Sequence, residues 1–241
     1  MVLKLNRKYI LVAFGAIVTI LVIVGIYKTS NARTFQLFGG LTSRVNTNQK
    51  VVALTFDDGP RPGETEKVLR ILKEENVKAT FMLIGNEIAK HPEQGRLIVA
   101  DGHQVGNHSY THNNMVFKLP WFYKNEVEKT DQAIRSIGYQ GDIVFRPPYG
   151  NKFIGLPLYL AQHDRKTIMW DIEPERNRQI ASSTQAITAD VLKTVHPGSI
   201  IILHVMYKNR QAVMQAVKPI IDGLNAQGYQ FVTVNELLKY N

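Results

Sequence analysis

The chain has 241 residues, a formal net charge of +9 and no cysteine. Its length is enough for one sizeable domain with its own core. The absence of cysteine excludes disulfides, thiolate metal sites and thiol nucleophiles. Four of the charges lie in residues 1–30, which contain no acid, so the rest of the chain carries +5. That excess is too mild to indicate a nucleic-acid partner, and it favours contact with an anionic surface.

The first 48 residues predict a membrane anchor and a short stalk. An apolar run from residue 9 to residue 27 contains no charge, and as a helix it spans roughly 28 Å, close to the ~30 Å of a bilayer core. The run is longer than the apolar core of most signal peptides, although Ser30 and Ala32 offer a cleavage-like spacing. Flanking basic residues weakly favour an inside N-terminus. We predict a cytoplasmic segment 1–8, a single-pass anchor 9–27 in the cell membrane, a stalk 28–48 and an extracellular domain 49–241.

Beyond the stalk, short β-branched segments alternate with helix-like segments. The predicted strands are Val51–Phe56, Ala79–Ile84, Gln104–Asn107, Ile143–Phe145, Thr167–Trp170, Ser199–Leu203 and Gln230–Thr233. The predicted helices lie near Glu64–Glu75, Glu93–Ala100, Trp121–Ile137, Ala186–Val195 and Gln211–Gln227. A closed or distorted (β/α) barrel and an open doubly wound sheet both fit this alternation. We predict an α/β fold, a distorted (β/α) barrel of about seven to eight parallel strands with surrounding helices.

Polar side chains follow five of the predicted strands at their carboxyl ends. They are Asp57 and Asp58, His108, Arg146, Asp171 and His204. In parallel βα architectures, functional groups gather outside this end of the sheet. We therefore expect these residues to converge on one site.

Asp58, His108 and His112 are candidate ligands for a divalent metal. Histidines four residues apart share one face if their segment is helical. With one carboxylate they leave a coordination position open, the pattern of a catalytic metal site. Asp57 beside Asp58 makes a cation attractive because adjacent carboxylates repel each other. Taken alone, an aspartate pair before Gly-Pro is also typical of a solvated turn.

Two further strand-end residues have candidate roles. Arg146 precedes two prolines, so a rigid backbone would position its guanidinium. His204 closes a fully apolar strand, where a buried structural histidine or an acid–base group would both fit. We assign no role to the four remaining histidines, His91, His103, His163 and His196.

Four segments resemble the ordered motifs of the polysaccharide deacetylases, carbohydrate esterase family four, also called the NodB homology domain. They are Thr55–Pro60, His108–His112, Arg146–Tyr149 and the strand that ends in His204. The resemblance covers residues 50–239, and its first two motifs together are highly specific. The chain looks most similar to compact, membrane-anchored Gram-positive members that act on peptidoglycan N-acetylglucosamine.

The resemblance implies a role for each matched residue. Asp58, His108 and His112 are expected to hold the metal, usually zinc, with cobalt or nickel as alternatives. Asp57 is expected to be the general base that takes a proton from metal-bound water. The remaining expectations are that His204 is the general acid, Arg146 orients Asp57, the backbone N–H of Tyr149 stabilises the oxyanion, and Pro148, Ile202 and Trp170 bind substrate.

One motif departs from the family pattern. The family commonly has an aspartate followed shortly by Asp-Trp, whereas here Glu173 takes the first place and Arg176-Asn177 replaces the pair. Asp171 or Glu173 is expected to support Arg146, and the choice between them stays open. The implied function is removal of acetyl groups from N-acetylglucosamine in peptidoglycan or a chitin-like polysaccharide, by a monomer. The alternatives are an O-acetylxylan-type esterase and a non-catalytic protein that binds the cell wall.

Overall fold

The computed structural model describes residues 7–240 and is built around one central strand, β2 (Val51–Asp57), whose seven residues are all buried. β2 pairs in parallel with β3 (Thr80–Leu83) on one side and β6 (Ile200–Leu203) on the other. β7 (Gln230–Phe231) pairs with the first two residues of β2. Burial on both faces explains why β2 and β6 are apolar almost throughout. Part of the predicted cytoplasmic segment, residues 1–6, lies outside the described residues, as does residue 241.

The remaining strands extend this parallel arrangement. β4 (Gln104–Asn107) pairs with β3, and β1 (Leu41–Thr42) pairs with β5 (Thr167–Ile168) in a separate two-stranded sheet. Single parallel bridges join the two sheets through Phe145, which pairs with both Asn107 and Thr167. A further bridge joins the segment after β5 to β6 at Ile172 and Ile201. The α/β fold with parallel strands is confirmed, and single bridges rather than ladders carry the link between the sheets.

The predicted strand Ile143–Phe145 is wrong. Only Phe145 pairs with neighbouring chain, through the single bridges described above. Arg146 is followed by two prolines, which have no N–H to donate to a ladder, so pairing stops at Phe145. The predicted strands at 167–170 and 230–233 are also shorter than expected, two residues each.

Helices follow the strands in the predicted alternation and cover the sheet. They are α1 (Arg7–Ser30), α2 (Glu64–Glu74), α3 (Gly85–Lys90), α4 (Pro92–Ala100), α5 (Pro120–Ser136), α6 (Gly155–Gln162), α7 (Arg178–Ala181), α8 (Thr184–Thr194), α9 (Gln211–Ala226) and α10 (Val234–Leu237). Short 3₁₀ turns lie at Pro148–Gly150, Pro174–Arg176 and Leu238–Tyr240. α9 is typical of the covering helices, because its buried residues Val213, Val217, Ile220 and Leu224 recur at helical spacing.

The N-terminal helix α1 is long and apolar enough to cross a membrane. Its 24 residues rise about 36 Å. The apolar part of the helix is exposed along its length, and Ser30 at its end is its one buried residue. α1 therefore stands out from the domain as an apolar rod.

The predicted stalk is packed against the domain over its second half. Val45 is buried, and its N–H donates to the carbonyl of Gly198 over 2.9 Å. Gly198 has a φ of +80°, and a Cβ there would lie 1.9 Å from the Val45 carbonyl oxygen, so only glycine fits. With β1 paired to β5, residues 41–45 are part of the folded domain.

Candidate metal centre and active site

Three predicted ligands converge at the carboxyl ends of β2 and β4. Nε2 of His112 lies 3.4 Å from Oδ1 of Asp58, and Nε2 of His108 lies 3.8 Å from the same oxygen. The three ligand atoms all lie within 4.8 Å of one another. Ligand atoms about 2.1 Å from a tetrahedral ion are spaced about 3.4 Å apart, so this cluster has the dimensions of a metal site.

The chemical state of these ligands also fits a cation. Oδ1 of Asp58 is buried and has no hydrogen-bond partner within residues 7–240, which is costly for a carboxylate unless an ion binds it. Nδ1 of His108 lies 2.8 Å from the carbonyl of Arg146, so it carries the proton and leaves Nε2 free to coordinate. Burial lowers the pKa of His108 to about 3, against the opposing charge of Asp58, and keeps the ring neutral. These residues suit a divalent metal.

His108 and His112 are brought together by a loop, whereas their four-residue spacing predicted a shared face only for a helix. Ser109 and His112 both have positive φ, at 64° and 57°. The turn is held by side chains, since Ser109 N–H donates to Asn107 and His112 N–H donates to the Ser109 hydroxyl. Left-handed residues of this kind cost of order 1 kcal/mol each and persist only where surrounding structure enforces them.

Glu126 on α5 fixes the same loop and was missed in the sequence analysis. Its carboxylate accepts hydrogen bonds from the N–H groups of Tyr110 and Thr111 and from the Thr111 hydroxyl, at 2.8–2.9 Å. Glu126 is only 5 % exposed. The sequence feature that could have identified Glu126 is its position on the same helical face of α5 as the buried residues Tyr123 and Val127.

Asp57 is held by a fully buried arginine. The Arg146 guanidinium is ion-paired with Oδ1 of Asp57 and also donates to the Thr55 hydroxyl at 2.8 Å. It donates further to the carbonyls of Ile168 and Met169. Oδ2 of Asp57 lies 3.5 Å from Nε2 of His108, beside the candidate metal ligands. The predicted orientation of Asp57 by Arg146 is thus present as a direct contact.

The expected support of Arg146 by Asp171 or Glu173 is corrected by the structure. Asp171 accepts hydrogen bonds from the Ser199 hydroxyl and the Ile200 N–H, both at 2.8 Å. Glu173 is ion-paired with Arg33. Within residues 7–240, Arg146 is instead satisfied by Asp57, the Thr55 hydroxyl and the carbonyls of Ile168 and Met169.

His204 is paired with Glu175, the second residue that the sequence analysis missed. Nδ1 of His204 lies 3.4 Å from Oε1 of Glu175, which also accepts the His204 backbone N–H at 2.7 Å. Burial alone would lower the pKa of His204, but the Glu175 hydrogen bond and the charges of Asp57 and Asp58 raise it to about 9. A pKa raised in this way favours the protonated ring at neutral pH. Glu175 lies two residues beyond Glu173, in the departing motif.

These groups surround one cleft of about 510 Å³. Its lining includes both carboxylates, His108, His112, Pro147, Tyr149, Trp170, Glu173, Ile202, His204, Tyr207 and Arg210. Of the two adjacent prolines, both buried, Pro147 lines the cleft and the predicted Pro148 does not. Tyr149 is 64 % exposed, has a φ of 59° and lies edge-on to His112 with ring centroids 4.8 Å apart. The structure therefore joins the predicted metal, base, acid and substrate-binding residues in one cavity.

Known proteins are similar to this chain in sequence and in fold. A family model described as polysaccharide deacetylase matches residues 44–167. A peptidoglycan-N-acetylglucosamine deacetylase of Bacillus cereus is 33 % identical over 193 residues, which are 80 % of this chain and 70 % of that protein. The chain belongs to the polysaccharide deacetylase family, carbohydrate esterase family four, as the sequence motifs predicted.

Two solved structures illustrate the range of the family. The peptidoglycan N-acetylglucosamine deacetylase Bc1960 superposes with a TM-score of 0.77 at 30 % identity, covering 83 % of this chain and 94 % of that one. BA3943 of Bacillus anthracis, described as a pseudoenzyme of the same family, superposes with a TM-score of 0.75 at 28 % identity. That match covers 84 % of this chain and 70 % of the BA3943 chain. The fold thus supports both catalysis and its loss.

Proposed function

We propose that this protein hydrolyses the N-acetyl groups of N-acetylglucosamine residues in a cell-wall polysaccharide and releases acetate. The observation that carries the proposal is the convergence of Asp58, His108 and His112 with an oriented acid, Asp57, and a further histidine, His204, in one cleft. Each of these groups has a task in amide hydrolysis. The names of the relatives favour peptidoglycan as the substrate over a chitin-like glycan.

The metal ligands in this proposal are Asp58, His108 and His112, and zinc suits their donor set, with cobalt or nickel as alternatives. Bound there, the ion would polarise the acetamide carbonyl and lower the pKa of a water molecule. A lowered pKa favours neutral His108, and Oδ1 of Asp58 has no hydrogen-bond partner within residues 7–240, so both groups suit coordination.

The remaining chemistry belongs to side chains of the cleft. Asp57, fixed by Arg146, accepts a proton from the attacking water as general base. The Tyr149 backbone N–H donates to the developing oxyanion. His204 gives its proton to the departing amine, which cannot leave as an anion. Ile202, Trp170 and the Pro147-Pro148 turn shape the space for the acetyl group.

Metal removal is the first test of this function. We expect dialysis of the full chain against a chelator to lower acetate release from peptidoglycan fragments by at least ~100-fold, because both the electrophile and the water lose their activation. Zn²⁺ or Co²⁺ should restore it. Circular dichroism before and after chelation controls for unfolding. Full turnover by protein shown to be metal-free would contradict the proposal.

The same assay separates the alternatives. The likeness to the BA3943 pseudoenzyme and the altered fourth motif give the non-catalytic reading its support. That reading predicts binding to purified cell walls without acetate release in any of several metals. An O-acetyl esterase would instead release acetate from acetylxylan and leave chitooligosaccharides intact.

The Glu175–His204 pair predicts a pH dependence. We expect the rate to fall as pH rises through the pKa of His204, which Glu175 helps to raise to about 9, because only the protonated ring is an acid. Glu175→Gln removes the charge that favours protonation, so the alkaline limb of kcat/KM should move to lower pH by one unit or more. Glu173→Gln, in the same segment but paired with Arg33, is the control and should leave that limb in place. An unmoved limb in Glu175→Gln would remove His204 as the titrating acid.

We further propose that α1 is an uncleaved single-pass anchor that holds the domain outside the cell membrane. The exposed apolar surface of the helix and the wall substrates named for the relatives support this location. The full chain should float with lipid vesicles after alkaline carbonate washing. Recovery of the chain in the wash would contradict an anchor.

A further inference from the structure

The end of the anchor helix is fastened to the domain without a free linker. Ser30 is 4 % exposed, and its carbonyl accepts the Lys152 N–H over 2.9 Å. The Lys152 side chain is 1 % exposed and donates to the carbonyl of Ala32. Burial lowers the pKa of the Lys152 ammonium to about 8. The ammonium is hydrogen-bonded to a backbone carbonyl just beyond the end of α1, where carbonyls have no partner inside the helix. The sequence had predicted a stalk here.

This attachment sets the height of the domain above a membrane. From Tyr27, the last apolar residue of α1, three residues lead to Ser30, a rise of about 4.5 Å. The headgroup layer of one leaflet is roughly 5–7 Å thick. If α1 spans the bilayer, the domain surface around Ser30 and Lys152 therefore lies within the headgroup layer.

The surface around that attachment carries large exposed apolar side chains. We call the docking patch the set Phe35, Phe38, Phe117, Trp121, Ile154 and Leu158, which are 37–71 % exposed. Their exposure to bulk water would be unfavourable for a cluster of this size.

Contacts on the domain surface and positions along the chain place the patch near Lys152. Phe35 is three residues from Ala32, and Trp121 belongs to the first turn of α5, where a Cβ at Gly155 would lie 2.5 Å from the Tyr123 ring. Ile154 is two residues from Lys152 and four from Leu158, with which it shares a helical face. Phe117 stacks edge-on against Phe153, with ring centroids 5.5 Å apart. The next turn of that α6 face, Ala161, meets Gly39 beside Phe38, where a glycine Cβ would be 3.0 Å away. The patch is therefore continuous with the anchor exit.

We propose that the docking patch inserts into the outer leaflet, so that the catalytic domain lies on the membrane instead of hanging from a tether. The inference rests on the proposed anchor. Exposed lysines beside the patch, Lys28, Lys118 and Lys124, suit anionic lipid headgroups. The patch also contains aliphatic Ile154 and Leu158, which suit acyl chains.

The docked orientation bears on the substrate. Arg33 follows Ala32 directly, is ion-paired with Glu173 and stacks over Trp170 at 5.0 Å, and both partners line the cleft. Only three residues thus separate the buried end of α1 from the cleft rim. The substrate class is accordingly glycan held close to the membrane.

The two tryptophans of the chain allow a direct test. Trp121 belongs to the patch and is 61 % exposed, whereas Trp170 is 5 % exposed in the cleft. We would reconstitute the full chain in vesicles of phosphatidylglycerol and phosphatidylcholine brominated near the headgroup end of the acyl chains. We expect Trp emission to fall by a third or more relative to unbrominated vesicles, and this loss to disappear in Trp121→Phe, a mild surface change.

A second readout uses the absence of cysteine. A single cysteine placed at Phe117 and labelled with an environment-sensitive dye should brighten on reconstitution. The same label at Leu97, an equally apolar exposed position on α4, should not. The chain could float with vesicles while Trp121 stays unquenched and the label at position 117 stays dark. That result would overturn the docking patch and leave the proposed anchor intact. Failure to float would overturn both. Quenching that appears only when glycan is added would identify the patch as a sugar surface and also overturn it.

Discussion

Replacing Asp57 by asparagine is expected to lower kcat by about 10²–10⁴ while the metal stays bound. The amide keeps the shape of the side chain, and the three candidate ligands are other residues, so the loss is confined to proton transfer. Arg146 is ion-paired with the Asp57 carboxylate, and Nε2 of His108 lies 3.5 Å from its other oxygen, so the carboxylate is held beside the metal cluster. Asparagine in that place has no basic oxygen to receive the proton.

Two measurements are needed to assign that loss to the base. The metal content of Asp57→Asn, measured by elemental analysis, should match that of the wild type. The kcat for acetate release should fall, with little change in KM. Asp142→Asn, at an exposed position, is the matched control and should keep full activity. Wild-type turnover in Asp57→Asn would mean that another group accepts the proton.

Replacing Arg146 by glutamine is expected to lower the free energy of unfolding by about 3–5 kcal/mol. The variant leaves the carboxylate of Asp57, 1 % exposed, without its guanidinium. It also takes a donor from the carbonyls of Ile168 and Met169 and from the Thr55 hydroxyl, which keeps its own hydrogen bond to the Ile201 carbonyl. An effect of this size is a large share of the stability of an ordinary domain.

Urea unfolding in detergent, followed by tryptophan fluorescence, would measure that change. Arg96→Gln is the matched control. Among the described residues 7–240, Arg96 pairs only with exposed Glu93, so its loss should alter stability by less than about 1 kcal/mol. Adding Asp57→Asn to Arg146→Gln should recover part of the loss, since the stranded charge is then gone. Equal effects of the two arginine variants would show that the buried pair does not stabilise the fold.

The sequence by itself determined the fold class and the identity of the central cluster. Alternating β-branched and helical segments require a parallel sheet, and the carboxyl ends of its strands meet at one edge. Asp57, Asp58, His108 and His204 each lie at or directly after such an end, so their convergence follows from chain order alone. Arg146 follows the single bridges at Phe145. The family motifs supplied the roles, and the length of the apolar run predicted a helix, α1, that could span a membrane.

Only the tertiary structure decided which partners hold those groups. Glu126 and Glu175 lie 15 or more residues from the loop and the histidine that they contact, and periodicity reports that a residue is buried without naming what it touches. In the departing motif, Asp171 or Glu173 was expected to support Arg146. The structure instead pairs Glu173 with Arg33 and Glu175 with His204. Residues 28–48 were polar enough to predict a stalk, yet the buried Lys152 and the Val45–Gly198 contact fasten them to the domain. Hydrogen bonds between distant segments form only when the whole fold has brought them within about 3 Å, and no local pattern records that distance.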